Sequence, residues 1–160
     1  MAQPPRRLLL CVDNSDSSEE AVRWALENIY RSGDEIHIVH VIPRFMLSGS
    51  YAYPPIDYLP QKNHAHQDHV IKSAEAFIVK RALRHIEKLG SSVQPIVHIV
   101  KYETDADSVG ELLCRKAREL QVAVMVLARH DKTKLQKIFL GSVCGYCAAH
   151  SSQPLLIYPP

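Results

Sequence analysis

Seven consecutive apolar residues, from Val122 to Ala128, stand between an amphipathic stretch and a run of basic residues. A membrane span takes roughly 18 or more apolar residues, so this run is too short to be one. With no polar alternation, it suits a strand buried on both faces, as in a parallel sheet covered by helices on either side. A chain built around such a strand must supply further strands to flank it and helices to cover it.

The remaining segments meet that demand in alternation. A short apolar run from Arg7 to Val12 ends in Asp13-Asn14-Ser15, which reads as a buried strand followed by a turn. Ser17 with Glu20 matches a capping box. Ala21, Val22, Ala25, Leu26 and Ile29 continue at helical spacing until Gly33. Residues 35–42 read as a second strand, 67–89 as a long helix stopped by Gly90, and 93–100 as a third strand. A helix over 108–120 leads into the central run, another follows Gly141, and a last strand opens at Pro154 and closes at Tyr158. Residues 43–66 break the rhythm with four prolines and three tyrosines and read as a long loop. The order β-α-β-α-β-α-β-α-β predicts an α/β fold: a doubly wound five-stranded parallel sheet with helices on both faces. In such sheets ligands sit beyond the carboxyl ends of strands, where strand order reverses. If the first and fourth strands are neighbours, Asp13, Asn14 and Ser15 face the segment from Ala128 to Ser142 across one crevice.

At 160 residues the chain fits one domain with a core of its own, and no internal repeat divides it. A net charge of +2 is too mild to argue for nucleic acid. Arg6 and Arg7 followed by leucines mimic a signal peptide, but Asp13 stops the apolar stretch early. The expectation is a cytoplasmic protein without a membrane segment. Four scattered cysteines do not make a secreted disulfide framework.

The segment KIFLGSVCGYCAAH superimposes two sites. The amides of Gly141, Ser142 and Val143 at a helix start would hold an anion. Arg129, His130, Lys132, Lys134 and Lys137 keep the preceding loop basic around Asp131. Cys144 and Cys147 form a C-x-x-C, but Cys144 comes about one turn into the helix and far from the preceding strand. Helix packing is therefore the expectation over a redox centre. His64, His66 and His69 could gather a metal, though only Asp68 is close by and a surface cluster is the plainer reading. His37 and His40 fall on opposite faces of the second strand. No nucleophile elbow, catalytic carboxylate pair or Walker lysine is present, so an enzyme is not the default. Slow ATP hydrolysis would need only positioning and a cation.

The chain resembles the universal stress protein family over nearly its whole length. The resemblance is carried by VDNSDSSEEAVRWAL, IHIVHVIP, ADSVGELLCRKARELQVAVMVLARH and KLQKIFLGSVCGYCAAHSSQPLLIYP, and its texture is closest to plant and algal members. It implies an adenine nucleotide alpha-hydrolase-like fold with strand order 3-2-1-4-5. It also implies an adenine nucleotide, ATP or AMP, with Mg or Mn accompanying ATP. Asp13 would meet the nucleoside, Val41 would offer backbone groups to adenine, and Cys144 would lie beside the phosphate turn. Nucleotide-binding members carry G-x2-G-x9-G-[ST]; aligned here it reads Ala128-x2-Asp131-x9-Gly141-Ser142, so two glycines are replaced. The resemblance further implies a homodimer through the last strand. Two other readings stay open: an interaction or chaperone-like module with a relic loop, and a thiol switch at Cys144 and Cys147.

Overall fold

Five short strands carry the fold because their apolar side chains fill both faces of a single sheet. The computed structural model describes residues 4–42, 64–101, 108–129 and 140–159. In chain order the elements are β1 (Arg7–Cys11), α1 (Asp16–Asn28), β2 (Glu35–Ile42), α2 (His64–Ile78), β3 (Ile96–Lys101), α3 (Val109–Glu119), β4 (Val124–Ala128), α4 (Leu140–His150) and β5 (Leu155–Tyr158). All neighbouring strands pair in parallel in the order β3-β2-β1-β4-β5, the order the resemblance implies. Leu8 lies opposite Val124 and Leu10 opposite Val126, so β1 and β4 are adjacent and the order reverses between them.

Alternation along each strand divides the core in two. Leu10, Ile36, Ile38 and Val126 face α1 and α2, packing on Val22, Ala25, Ile78 and Ile86. Leu9, Val39, Met125 and Leu127 face the opposite way, onto Leu112, Leu113, Ala117 and Cys147 of α3 and α4. Helices thus cover both faces, and the unbroken apolarity of β4 follows from burial on both sides.

Three local features differ from the expectations. The N-cap of α1 is Ser15 rather than Ser17: Ser15 is extended (φ −116°, ψ 157°) and its Oγ accepts the Ser18 N–H at 3.1 Å. Ser18 in turn is buried, and its hydroxyl accepts the Asp13 N–H at 3.1 Å, so it reaches back past the N-cap to the residue that ends the strand. The long helix opens at His64 instead of 67, so residues 64–66, assigned to the loop, are helical. It continues through a π-helical turn (Val79–Leu83) and ends in a 3-10 turn (Glu87–Leu89) before Gly90 at φ +117°. Its buried positions Ala74, Ile78, Ala82 and Ile86 recur every four residues. That spacing overshoots a 3.6-residue turn at each step, and the wider π turn absorbs the overshoot and keeps the stripe on the sheet. The third strand is shifted along, to Ile96–Lys101. Most of the proline- and tyrosine-rich loop, residues 43–63, lies outside the described residues.

Candidate functional site

At the carboxyl end of β1 the chain leaves the sheet through Val12, whose N–H donates to the Val39 carbonyl at 2.8 Å. The next residue, Asp13, is half-buried and turns its carboxylate onto the start of α1, where Oδ1 accepts the Ser15 N–H at 3.1 Å and the Ser15 hydroxyl. This Asx-type turn fixes Asp13, Asn14 and Ser15 as one unit. It is braced from outside by Arg81 in the π turn of α2, whose guanidinium donates to Asn14 Oδ1 at 2.9 Å, Asp16 at 2.6 Å and Glu19 at 3.1 Å. Arg84 and His85 also reach Glu19. The His85 and Arg84 hydrogen bonds hold the Glu19 carboxyl down at about 2, below the ordinary carboxylate range.

Across the crevice, β4 ends at Ala128 and hands over to exposed Arg129. The Arg129 N–H donates to the Tyr158 carbonyl at 2.8 Å, so it completes the β4–β5 ladder and is not offered to a ligand. Arg129 is itself exposed, and its charge reaches Cys144 in α4. α4 opens at Leu140, one residue earlier than expected, so Gly141, Ser142 and Val143 lie in its first turn. Cys144 feels charge from both sides of the crevice: burial raises its thiol pKa first, Arg129 pulls it down and Asp13 pushes it up. The structure therefore brings together the β1 turn, the end of β4 and the first turns of α4. Val41 sits on the same side of the sheet, buried near the end of β2 beside Val100. His130 and Asp131, with the rest of 130–139, lie outside the described residues, as does the side chain of Ser142.

The C-x-x-C resolves into packing. Cys144 Sγ donates to the Ala128 carbonyl at 3.5 Å, and Cys147 Sγ donates to the Gly110 carbonyl at 3.6 Å on α3. The two thiols are buried and bond to different elements, and burial pushes both pKa values up. Thiolate is scarce at such sites, which is the opposite of an activated redox pair. A depression of about 410 Å³ opens beside Arg129, Cys144, Ala148 and Ile157, toward β5 rather than toward the β1 turn.

His37 and His40 do fall on opposite faces. His40 Nδ1 donates to the Val12 carbonyl at 2.8 Å and its ring meets Phe77 edge-on, which ties β2 to the mouth of the crevice. The side chains of His64 and His66 lie outside the described residues. Among the described residues no three His, Cys, Asp or Glu are grouped to hold a metal. The brace from Arg81 escapes sequence reasoning because it comes from 67 residues away. Ser18 had a usable signal, being one of six hydroxyl or carboxylate residues in succession, 15–20, at a helix start.

Comparison with known proteins agrees with this geometry. The family model for the universal stress protein family matches residues 5–159. Universal stress protein PHOS32 of Arabidopsis thaliana is 29% identical over 164 residues, an alignment covering 96% of this chain and 65% of that protein. The chain thus spans less than two thirds of the length of that curated relative. Among solved structures, a universal stress family protein from Burkholderia pseudomallei superposes with a TM-score of 0.66 at 19% identity, covering all of both chains. A universal stress protein from Archaeoglobus fulgidus in complex with dAMP gives 0.55 at 16% identity, covering 97% of this chain and 98% of that one. At those identities the likeness is one of fold. Among the described residues no helix is long and apolar enough to cross a membrane. With the sheet order, the crevice between β1 and β4 and the family match along nearly all of its length, the chain belongs to the universal stress protein family.

Proposed function

We propose that the chain is a stress-response sensor that binds an adenine nucleotide, AMP or ATP, in the crevice between the ends of β1 and β4. The observation that carries this reading is the convergence of the braced Asp13 turn, the end of β4 at Arg129 and the opening of α4 at the point where strand order reverses. The dAMP complex of the Archaeoglobus fulgidus relative supports the same ligand class. In this reading Asp13 accepts from the ribose, and the backbone near Val41 meets adenine. The phosphates lie on the amides of Gly141, Ser142 and Val143, with Arg129 offsetting their charge. Asp131 stands in sequence where nucleotide-binding members carry glycine, and the negative charge it adds would make a triphosphate depend on Mg or Mn more than a monophosphate does. Exposed Ile157 on edge strand β5 suits a contact between two copies of the chain.

The test is thermal unfolding with AMP and with ATP, each with and without Mg or Mn. A ligand that binds only the native state stabilises it by about 2.7 kcal/mol at a hundredfold excess over Kd, or several degrees in Tm for a chain of this size. An unmoved Tm at millimolar nucleotide would leave the interaction-module reading in its place.

A further inference from the structure

On the face of the sheet covered by α3, away from the nucleotide crevice, two imidazoles meet across β2 and β3. His37 Nδ1 and His98 Nε2 are 3.0 Å apart. The ring centres are 5.3 Å apart and the planes differ by 11°. With nitrogens that close, such a wide separation of centres arises only when both rings lie in line with the N···N vector. The rings are therefore edge to edge and share one proton along a straight bond, with no room for a cation between them.

The surrounding charges assign the proton. His37 is 3% exposed, and its other nitrogen, Nε2, has no hydrogen-bond partner among the described residues and lies 3.6 Å from Glu35 Oε2. The Glu35 carboxyl is held below its ordinary range, first by the Arg7 hydrogen bond at 2.8 Å, so it is an anion at neutral pH. A lone pair facing that anion would be repelled; an N–H is attracted. His37 therefore carries its proton on Nε2 and accepts at Nδ1, and His98 donates from Nε2. That leaves His98 Nδ1 as the nitrogen free to take a further proton.

We propose that His37 and His98 form a one-proton clasp that fastens edge strand β3 to β2 and opens in acid. A first added proton goes to His98 Nδ1 and leaves the bond in place, now donated by an imidazolium and strengthened by its charge. A second has only His37 Nδ1 to go to, and two N–H groups then oppose each other at the bond. Burial lowers the affinity of both rings for protons. Arg7 lowers it further at His37, as do His37 and Lys116 at His98, against the opposing pull of Glu35 and Glu119. The sign follows from these directions. The unfolded chain takes up protons at the ordinary histidine value, where the folded pair does not. Stability from the clasp is complete above that value and is lost as pH falls below it. The element released would be β3, which among the described residues pairs with β2 alone and already exposes Ile96 and Val97.

The experiment is amide hydrogen exchange of the whole chain at about pH 7.5 and about pH 4.5, corrected for intrinsic rates, with parallel NMR titration of the histidine ring nitrogens. The expected result is a tenfold or greater loss of protection across β3 in acid while β1 and β4 keep theirs. The two rings should titrate in separated steps below the ordinary histidine value. In His98→Asn the acid loss in β3 should fall to about that of β4. Should that variant not fold, the wild-type titration alone decides. Two rings titrating independently at the ordinary value, or an undiminished acid loss in folded His98→Asn, would overturn the clasp. Neither readout involves nucleotide.

Discussion

Leu10→Ala is expected to lower the unfolding free energy by about 2–5 kcal/mol, the cost typical of deleting a buried leucine in a core that cannot collapse around the void. Leu10 is fully buried on the central strand, between Ile38 on β2 and Val126 on β4. Its face of the sheet is roofed by Val22 and Ala25 of α1, which are themselves buried. A strand with neighbours on both sides cannot move toward the helix without breaking two ladders, so the cavity stays open. Urea unfolding measures the effect as a lower midpoint at unchanged slope. For a chain of this size the loss corresponds to a Tm lowered by roughly 5–15 °C. A change within 0.5 kcal/mol, the range of an ordinary surface substitution, would contradict the assigned core.

Gly110→Ala is the second large effect, and it acts on the helix pair behind the candidate site. A β-carbon at Gly110 would stand 2.8 Å from Tyr146 Cδ1 and 2.9 Å from Tyr146 Cβ. The ring could swing aside, but Cβ is fixed to the backbone of α4, so the helices must part. Forcing atoms into a packed contact costs about 1–3 kcal/mol, against which the better helix propensity of alanine returns up to about 1. The expected net loss is about 1–2 kcal/mol. Tyr146→Gly, which removes that Cβ, should cost less in the Gly110→Ala background than in the parent chain, since the two positions share one contact. If Gly110→Ala were as stable as the parent chain, the close approach of α3 and α4 would be wrong.

Much of this architecture is visible in the chain itself. The run from Val122 to Ala128 demands a central parallel strand, and the alternation of strands and helices around it leaves few arrangements. The turn at Asp13 and the helix opening near Gly141 are legible as well, because residue types that end strands and start helices are local signals. The choice among Ser15, Ser17 and Ser18 as cap is less legible, since a row of capping residues satisfies several registers. Burial of Ser18 decides it. The π turn in α2 shows only as a four-residue apolar spacing, easily taken for ordinary helix. Arg81 bracing Asn14, and His37 meeting His98 61 residues away, are products of tertiary packing with no local trace. The C-x-x-C is legible as packing from its place one turn into a helix, and its two thiols do pack separately, on β4 and α3.

The central claim is that an adenine nucleotide sits between the ends of β1 and β4. A two-dimensional amide NMR titration with AMP tests it most directly, because it reports both binding and place. The account predicts saturable shifts at Asp13, Asn14, Ser15, Val41, Arg129 and Val143, with the amides of β3 unmoved. Spectra unchanged at millimolar AMP, or saturable shifts confined to residues outside that crevice, would contradict it.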